Sequence, residues 1–447
     1  MILPLVMAMA ANAVNQFADR VFLARYSDVA IQGSLPGGML SWISLCLIIS
    51  TVGYSGTFVA QFWGAGSRWD AQRAFAQGIW LSASTIPFLL ASIPFGNWIF
   101  DVIGHAPDVI AAEKSYFDIL QIGGIFTVFG AVFSGYFTGV GRTRIVGVAN
   151  VIGNLMNILL DWLFIFGHCG FAEHGIAGAA WATTISAIAP CAILAVFWMM
   201  QSTAKGKDGS TIWRLDFKLL GRILRYGVPS GVHIFLDCVT FTVFVMVIGG
   251  LDAMSSAVST ICFAINHLSF APLMGLCQGA TVLVGQFQGE GDSAASFRSA
   301  MSCLTIGLIY AAVFILLILA FPNQCMDFFH GDASAFPLAD FRALGGKLLM
   351  ILACWVMFDA VTMVLEGALK GAGDTRYVMV VQSGVSFVIW MPLVFLVKHH
   401  HPDVVWLWAT MPVYCSICAT LIFIRFHAGK WRKIQMVQDI VRAFRER

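Results

Sequence analysis

The chain has 447 residues, of which 59% are hydrophobic and only 11% are Asp, Glu, Lys or Arg, and its formal net charge is +2. Soluble domains carry roughly 25% charged residues, so this composition excludes an ordinary water-soluble domain. We therefore expect an integral membrane protein without a nucleic-acid partner.

Apolar stretches recur along the whole chain. No charged residue occurs between Asp28 and Arg68, or between Arg298 and Asp327, and a membrane-spanning helix needs about 20 apolar residues. Twelve spans are predicted, at 3–24, 33–64, 75–97, 115–138, 144–167, 175–200, 226–250, 254–284, 295–321, 343–368, 376–398 and 403–425. The predicted fold is therefore an all-α membrane protein with six spans in each half.

Short motifs of the first half return in the second, each about 230 residues downstream. The pairs are Gln61–Gly66 with Gln286–Gly291, Gly139–Arg144 with Gly371–Arg376, and Trp181–Thr183 with Trp408–Thr410. Their constant order and spacing indicate an internal duplication, which in a membrane protein is typical of a transporter. Because six spans return the chain to its starting side, the two repeats are predicted to be parallel, about an axis along the membrane normal. The glycine motifs themselves are expected to form helix-end turns.

The basic residues predict the orientation and the domains. With a cytoplasmic N-terminus, 20 of the 26 Lys and Arg residues fall on the inner side, as the positive-inside rule requires. We expect a multi-pass protein of the inner membrane with both termini in the cytoplasm. The predicted domains are an N-lobe (1–200), a cytoplasmic linker (201–218), a C-lobe (219–428) and a basic tail (429–447), which lies near anionic lipids or is simply solvated.

The sequence offers no enzyme motif. It contains neither a phosphate-binding loop nor an H-E-x-x-H pair, and we find no convergent His, Cys or Ser constellation. We therefore expect a protein that is not an enzyme and holds no cofactor. Coupling to a Na⁺ or H⁺ gradient is the remaining energy source, and it requires polar groups within the bilayer.

Polar groups of this kind occur in the first half. Asp19 lies late in the first span, and Asn157 and Asp161 lie in the fifth. The spacing of Asn157 and Asp161 places an amide and a carboxylate on one helix face. Hard oxygen ligands suit Na⁺ or a shared proton, although a purely structural carboxylate is the alternative.

The second half has its own intramembrane acids, Asp237 in the seventh span and Asp359 and Glu366 in the tenth. Asp359 and Glu366 are seven residues apart and share a helix face. A carboxylate within the bilayer costs roughly 2.5–3.5 kcal/mol and must face the protein interior or water. Asp237 and Asp359 could bind the substrate cation or the ion, whereas Glu366 is interpreted as a structural residue near a helix end.

Several motifs together resemble the multidrug and toxic compound extrusion (MATE) family over nearly the whole chain. The motifs are Pro4 fifteen residues before Asp19, Gln61–Gly66, Asn157-x-x-x-Asp161 before Ile165-Phe166-Gly167, Gly178–Thr183 and Gly367–Thr375. The resemblance implies two six-helix lobes forming a V around a central cavity. It also implies export of amphipathic, usually cationic compounds in exchange for Na⁺ or H⁺.

The resemblance assigns roles to individual residues. The family's N-lobe cation site falls on Asp19, Asn157, Asp161 and Thr183. The C-lobe acidic positions of its Na⁺-coupled bacterial branch fall on Asp237, where that branch carries Glu, and on Asp359. The family's helix-one hinge proline corresponds to Pro4. Membrane lipids are the other expected partners, and we expect a monomer.

Three alternatives stay open. A lipid-linked oligosaccharide flippase of the same superfamily would share the fold but should have a cavity rich in Arg or Lys. A channel would not need a duplicated, two-lobed chain. A membrane-embedded enzyme would need catalytic residues that the sequence does not supply.

Overall fold

The computed structural model describes residues 2–201, 209–329, 337–437 and 439–440, and within these ranges the chain forms helices and no strands. Residues 202–208 of the predicted linker, and residues 438 and 441–447 of the predicted tail, lie outside the described residues. The prediction of an all-α membrane protein is confirmed.

In the described part of the chain, eleven helices are long and apolar enough to span a membrane by length and composition. The N-terminal helix, α1 (Ile2–Tyr26), has 25 residues but is not among the eleven. Its polar residues Asn12, Asn15, Gln16 and Asp19 lower its mean hydropathy. Together with α1, the eleven helices correspond to the twelve spans predicted from the sequence.

The chain divides into two compact units, of which unit 1 comprises Met1–Gly231, Gly285–Gly291 and Gln435–Arg447. Its helices are α1, α2 (Asp28–Gly53), α3 (Ser55–Gly64), α4 (Arg68–Ile103), α5 (Pro107–Gly139), α6 (Thr143–Phe166), α7 (Gly175–Gln201) and the short α8 (Gly209–Ile212). Helix α5 packs against α2, α4 and α7, while α6 packs against α1 and α7. Gly56 of α3 faces Gly135 of α5, because small residues let two helix backbones approach closely.

The boundary between the units lies within α9 (Phe217–Gly249), because the first half of this helix packs on unit 1. A side chain at Gly227 or Gly231 would overlap atoms of Thr51 in α2. Packing on α2 therefore keeps α9 in unit 1 up to Gly231, and the beginning of the second six-helix lobe at residue 219 stays a prediction.

Unit 2 comprises Val232–Val284 and Asp292–Ile434. Its helices are the rest of α9, most of α10 (Ala253–Glu290), α11 (Ser293–Ala320), α12 (Pro322–Phe329), α13 (Leu338–Ala372), α14 (Thr375–Gly384), the π-helical turn Val385–Trp390, α15 (Met391–His400), α16 (Val404–His427) and the 3₁₀ turn Lys430–Lys433. Helix α13 packs against α11 and α16, as α5 packs against α4 and α7 in unit 1. The packing pattern thus repeats with the sequence.

The repeated glycine motifs form turns at helix ends, as predicted. Gly66 and Gly291 have φ values of 77° and 86°, and Gly141 and Gly373 have φ values of 82° and 95°. Residues with a side chain rarely adopt this left-handed conformation. The glycines therefore end one helix and allow the next to begin, and the corresponding glycines have similar φ values in both repeats.

Candidate functional site

The four residues of the predicted N-lobe cation site come together in unit 1. Helix α1 supplies Asp19, α6 supplies Asn157 and Asp161, and α7 supplies Thr183. Asn157 Nδ2 lies 3.4 Å from Thr183 Oγ1. In the alternative orientation of the Asn157 amide, this contact is replaced: the nitrogen donates to Asn15 Oδ1 at 2.6 Å and to Asp161 Oδ2 at 3.3 Å, and the oxygen accepts from the Thr183 backbone N–H at 3.1 Å.

Two carboxylate oxygens in this cluster have no hydrogen-bond partner among the described residues. They are Oδ1 of Asp19 and Oδ1 of Asp161, and the two carboxylates also repel each other electrostatically. Asp161 is 0% exposed and Asn157 is 2% exposed. Buried polar atoms are normally paired, so unpaired oxygens on two facing acids fit a bound cation or proton better than a purely structural role.

Two further side chains belong to this cluster and were not predicted. The Tyr116 hydroxyl of α5 hydrogen-bonds to Asp19, and Asn15 of α1 accepts from Asn157. Asn15 lies four residues before Asp19, so the helix period could have indicated it. Nothing in the sequence around Tyr116 indicates its position, because α5 reaches the cluster through helix packing and not through any spacing along the chain.

The two predicted acids of the C-lobe lie in unit 2 and interact electrostatically. Asp237 of α9 is exposed, and its Oδ1 accepts a hydrogen bond from the Tyr414 hydroxyl at 3.3 Å. Asp359 of α13 is partly buried and is hydrogen-bonded by the Cys415 thiol of α16. This arrangement leaves Asp237 open to a solute.

Glu366 is part of a buried polar cluster rather than a free helix end. It pairs with Lys370 one turn further along α13, and its Oε1 lies 3.5 Å from Nδ1 of His233. Gln382 of α14 donates to its other oxygen at 2.9 Å. His233 was missed, although it lies four residues before Asp237 on the same face of α9.

Pro4 lies apart from these clusters. It is the third described residue of α1 and packs against Gly147 of α6. Its role as a hinge stays a prediction.

Within residues 2–201, 209–329, 337–437 and 439–440, no group of three or more His, Cys, Asp or Glu side chains could hold a metal ion. The carboxylate, amide and hydroxyl oxygens around Asp161 are hard ligands, of the kind that suits Na⁺ or a proton and not a transition metal.

Solved structures share this fold. A crystal structure of MATE in the straight conformation has a TM-score of 0.84 and 18% sequence identity, and it covers 97% of this chain and 96% of its own. An outward-facing multidrug resistance MATE family transporter of the MOP superfamily has a TM-score of 0.81 and 19% identity, with the same coverage. These similarities show the fold.

Curated relatives match along most of the chain. A probable multidrug resistance protein NorM from Thermotoga maritima is 25% identical over 434 residues, which are 95% of this chain and 91% of the relative. A protein of the same description from Rhizobium meliloti is 26% identical over 383 residues, which are 83% of this chain and 80% of the relative.

One family model matches the chain twice. The model is described as MatE, and it matches residues 4–163 and residues 229–396. The two matches lie in corresponding positions of the two repeats, which agrees with the duplication predicted from the motifs. They cover well over half of the sequence, and the chain therefore belongs to the MatE family of membrane transporters.

Proposed function

We propose that this transporter is a secondary active antiporter that exports amphipathic, mostly cationic organic compounds in exchange for Na⁺ or H⁺. The observation that carries the proposal is the cluster of Asp19, Asn157 and Asp161. It combines two carboxylates, each with a buried oxygen that lacks a partner among the described residues, within helices of membrane-spanning length. Such groups are costly in a bilayer and mark ion or substrate pathways.

The N-lobe cluster is the proposed ion site. Asp161 and Asp19 would share one bound Na⁺ or one proton, Asn157 would hydrogen-bond to Asp161, Thr183 would contribute a neutral hydroxyl oxygen, and Tyr116 would orient Asp19. Binding of the ion removes the repulsion between the two carboxylates. A ligand shifts a conformational equilibrium only through its different affinities for the two states, so relief of this repulsion is the proposed driving term.

The unit 2 acids are the proposed site for the organic cation. Asp237 is exposed, and its partner Tyr414 stacks on Trp390 with ring centroids 4.8 Å apart. Aromatic faces attract cations, so an anion beside stacked rings suits a flat, positively charged compound. Ion and substrate then compete for negative charge, and this competition couples their movements.

The relatives support the substrate class. Several are named as probable multidrug resistance proteins, and we extend that description to this chain as part of the proposal. We further propose that it is a monomer of the inner membrane, with both termini in the cytoplasm and with six-helix lobes at 1–200 and 219–428.

The competing function is a lipid-linked oligosaccharide flippase. A MOP superfamily transporter from Pyrococcus furiosus shares the fold with a TM-score of 0.81, and its title attributes a different function to reversed polarity of the binding pocket. The fold alone therefore leaves both substrate classes open. The acidic residues of this chain favour the cationic substrate, because a pyrophosphate would be repelled by Asp237 and Asp359.

The test is efflux of ethidium, a fluorescent cation, from pump-deficient cells that express the chain under imposed Na⁺ or H⁺ gradients. Efflux that depends on one gradient and is lost in Asp19→Asn is the expected result, and it identifies the ion. A well-inserted wild-type protein that moves no cation under either gradient would contradict the proposal and direct attention to lipid-linked substrates.

A further inference from the structure

A buried cluster of polar side chains in unit 2 has no assigned role. It consists of His233 from α9, Glu366 and Lys370 from α13, and Gln382 from α14. Their exposed fractions are only 5%, 8%, 8% and 6%. Four polar side chains from three helices in an otherwise apolar unit are costly to desolvate, so their retention calls for a function or a strong structural reason.

The cluster forms a continuous set of proton donors and acceptors. The Lys370 ammonium contacts Glu366 Oε1, and it lies 3.4 Å from His233 Nδ1. The same histidine nitrogen lies 3.5 Å from Glu366 Oε1, while Gln382 fixes Oε2 of the glutamate at 2.9 Å. Every titratable member is therefore within reach of the other two.

This cluster adjoins the exposed acid of unit 2. His233 precedes Asp237 by four residues, so the two side chains lie one turn apart on the same face of α9. Asp237 and Glu366 interact electrostatically. On α13, Glu366 and Lys370 follow Asp359 by seven and eleven residues, which corresponds to about 10 Å and about 16 Å along the helix axis. The polar groups thus extend from Asp359 towards the C-terminal end of α13.

An ion pair kept only for stability does not account for this arrangement. Apolar side chains of similar size stabilise a protein as well as a buried ion pair does, or better. A lysine and glutamate would also need no histidine one turn from the exposed acid on α9. Histidine differs from both because it accepts a proton at one ring nitrogen and releases one from the other near neutral pH.

We propose that His233, Glu366 and Lys370 form a proton relay between the acids Asp237 and Asp359 and the C-terminal end of α13. This inference rests on the proposed antiport, and the positive-inside bias assigns that end of α13 to the cytoplasm. The relay makes the proton the coupling ion of unit 2.

Each step conserves protons. Protonated Asp237 passes its proton to neutral His233, and the carboxylate becomes free to bind an organic cation. Lys370 releases one proton at the end of α13 and regains one from His233, while Glu366 stabilises the positive charge on either partner. One proton has then moved along the relay. Glu366 and Lys370 are back in their starting states, and His233 is neutral with its remaining proton on the other ring nitrogen, so rotation of the ring completes the cycle.

Other titratable groups face the relay from neighbouring helices. They are Cys277 on α10, Asp359 on α13, and Tyr414, Cys415 and Cys418 on α16. Asp359 interacts with Asp237 and acts as the second acid that loads the relay. The thiols and the phenol keep their protons near neutral pH, so they do not replace His233.

The test uses purified full-length protein in liposomes, with ethidium as substrate and a pH indicator in the lumen. Two assays are compared, namely ethidium transport driven by a pH gradient and ethidium exchange at equal pH on both sides. The variants are His233→Gln, which retains hydrogen bonding but does not titrate, and the double variant Glu366→Gln with Lys370→Met. The double variant leaves no unpaired buried charge and therefore favours folding.

In both variants the rate of pH-driven ethidium transport is expected to fall at least about tenfold, and the accompanying change in luminal pH should be lost. Ethidium exchange at equal pH should stay within about twofold of wild type. His267→Gln, the same substitution at an exposed position of α10 in the same unit, should behave as wild type in both assays.

Two results would overturn the relay. One is pH-driven transport of normal rate in both variants, and the other is a wild-type protein that exchanges ethidium and responds only to Na⁺. Either result leaves the antiport proposal standing. A wild-type protein that moves no ethidium in any assay would overturn the relay and the proposed function together, so the two failures are distinguishable.

Discussion

Gly64 of α3 lies so close to Gln286 of α10 that a methyl group on Gly64 would overlap the Gln286 backbone. The reciprocal contact also exists, because a methyl group on Gly289 would overlap the backbone of Gln61. Both glycines are the fourth residues of the two copies of one repeated motif. The two copies of the motif therefore contact each other at a helix crossing within unit 1. The glycine of each copy leaves room for the backbone of the other copy.

The first prediction concerns this crossing. Gly64→Ala should destabilise the protein by about 1–3 kcal/mol, because the added methyl meets backbone rather than a movable side chain. The expected readout is a lower melting temperature of the purified protein and a lower yield of folded protein in the membrane. Gly384→Ala is the matched control, since no atom from outside its own stretch of helix lies within 4 Å of the position where its side chain would start. Equal melting temperatures for the two variants would contradict the close backbone contact between Gly64 and Gln286.

The second prediction concerns the N-lobe cluster. Asp19→Asn and Asp161→Asn should each reduce gradient-driven efflux to the level of cells without the protein, because a neutral amide neither binds a proton in the physiological range nor repels its neighbour. Folding should be unaffected, since the substitution preserves shape and removes an uncompensated buried charge. Efflux and membrane insertion are measured in the same cells.

The control for these variants is Asp108→Asn, an exposed acid in the first turn of α5 in the same unit. Its efflux should equal that of wild type. Normal efflux by either cluster variant, at normal insertion, would remove the ion site from the proposed mechanism.

The sequence predicts those parts of the structure that depend on local spacing. Hydropathy indicates the helices, and the four-residue spacing of Asn157 and Asp161 indicates their common face. The same rule applied to Asp237 would have indicated His233. The rule cannot find Tyr116, because its contact with Asp19 depends on how α1 and α5 pack and not on any spacing along the chain.

The tail shows the same limit. Its basic residues predict a solvated or lipid-bound segment, yet Met436 and Val437 are 1% and 0% exposed. The Met436 sulfur lies 3.2 Å from Gln61 Nε2, and its carbonyl oxygen accepts from Arg222 at 3.1 Å. Met436 and Val437 stand between Gln435 and Gln438, and this short apolar pair does not predict burial against residues more than 200 positions earlier in the chain.

The third prediction concerns Tyr116. Tyr116→Phe removes the hydroxyl that hydrogen-bonds to Asp19 but keeps the ring in its buried position. Hydrogen bonds to charged groups contribute about 1.5–3 kcal/mol, so the apparent affinity for the coupling ion should change by about tenfold or more. The maximal efflux rate should change less, because Asp19 and Asp161 are still present.

The measurement for Tyr116→Phe is the dependence of efflux rate on the concentration of the coupling ion. Tyr136→Phe is the matched control, a partly buried tyrosine on the same helix. An ion dependence identical to that of wild type would show that Tyr116 packs beside the cluster without taking part in it.

The fourth prediction concerns the turn after α13. Arg425 of α16 donates to both oxygens of Asp374, at 2.7 Å and 3.3 Å, and its guanidinium lies 4.5 Å from the centre of the Tyr377 ring. Asp374 is 6% exposed, so its charge is desolvated and depends on this pairing. The first repeat has Arg142 at the corresponding position, which makes this ion pair specific to the second repeat.

Arg425→Lys should therefore destabilise unit 2 by about 1–3 kcal/mol, because a lysine keeps the charge but cannot make two parallel hydrogen bonds or stack on the ring. The melting temperature measures the effect, and Arg376→Lys, an exposed arginine two residues beyond Asp374, should leave it unchanged. Asp374→Asn combined with Arg425→Lys should be no less stable than Arg425→Lys alone, since the buried carboxylate is then removed. A double variant less stable than Arg425→Lys would show that Asp374 holds the turn through its own backbone contacts and not through the arginine.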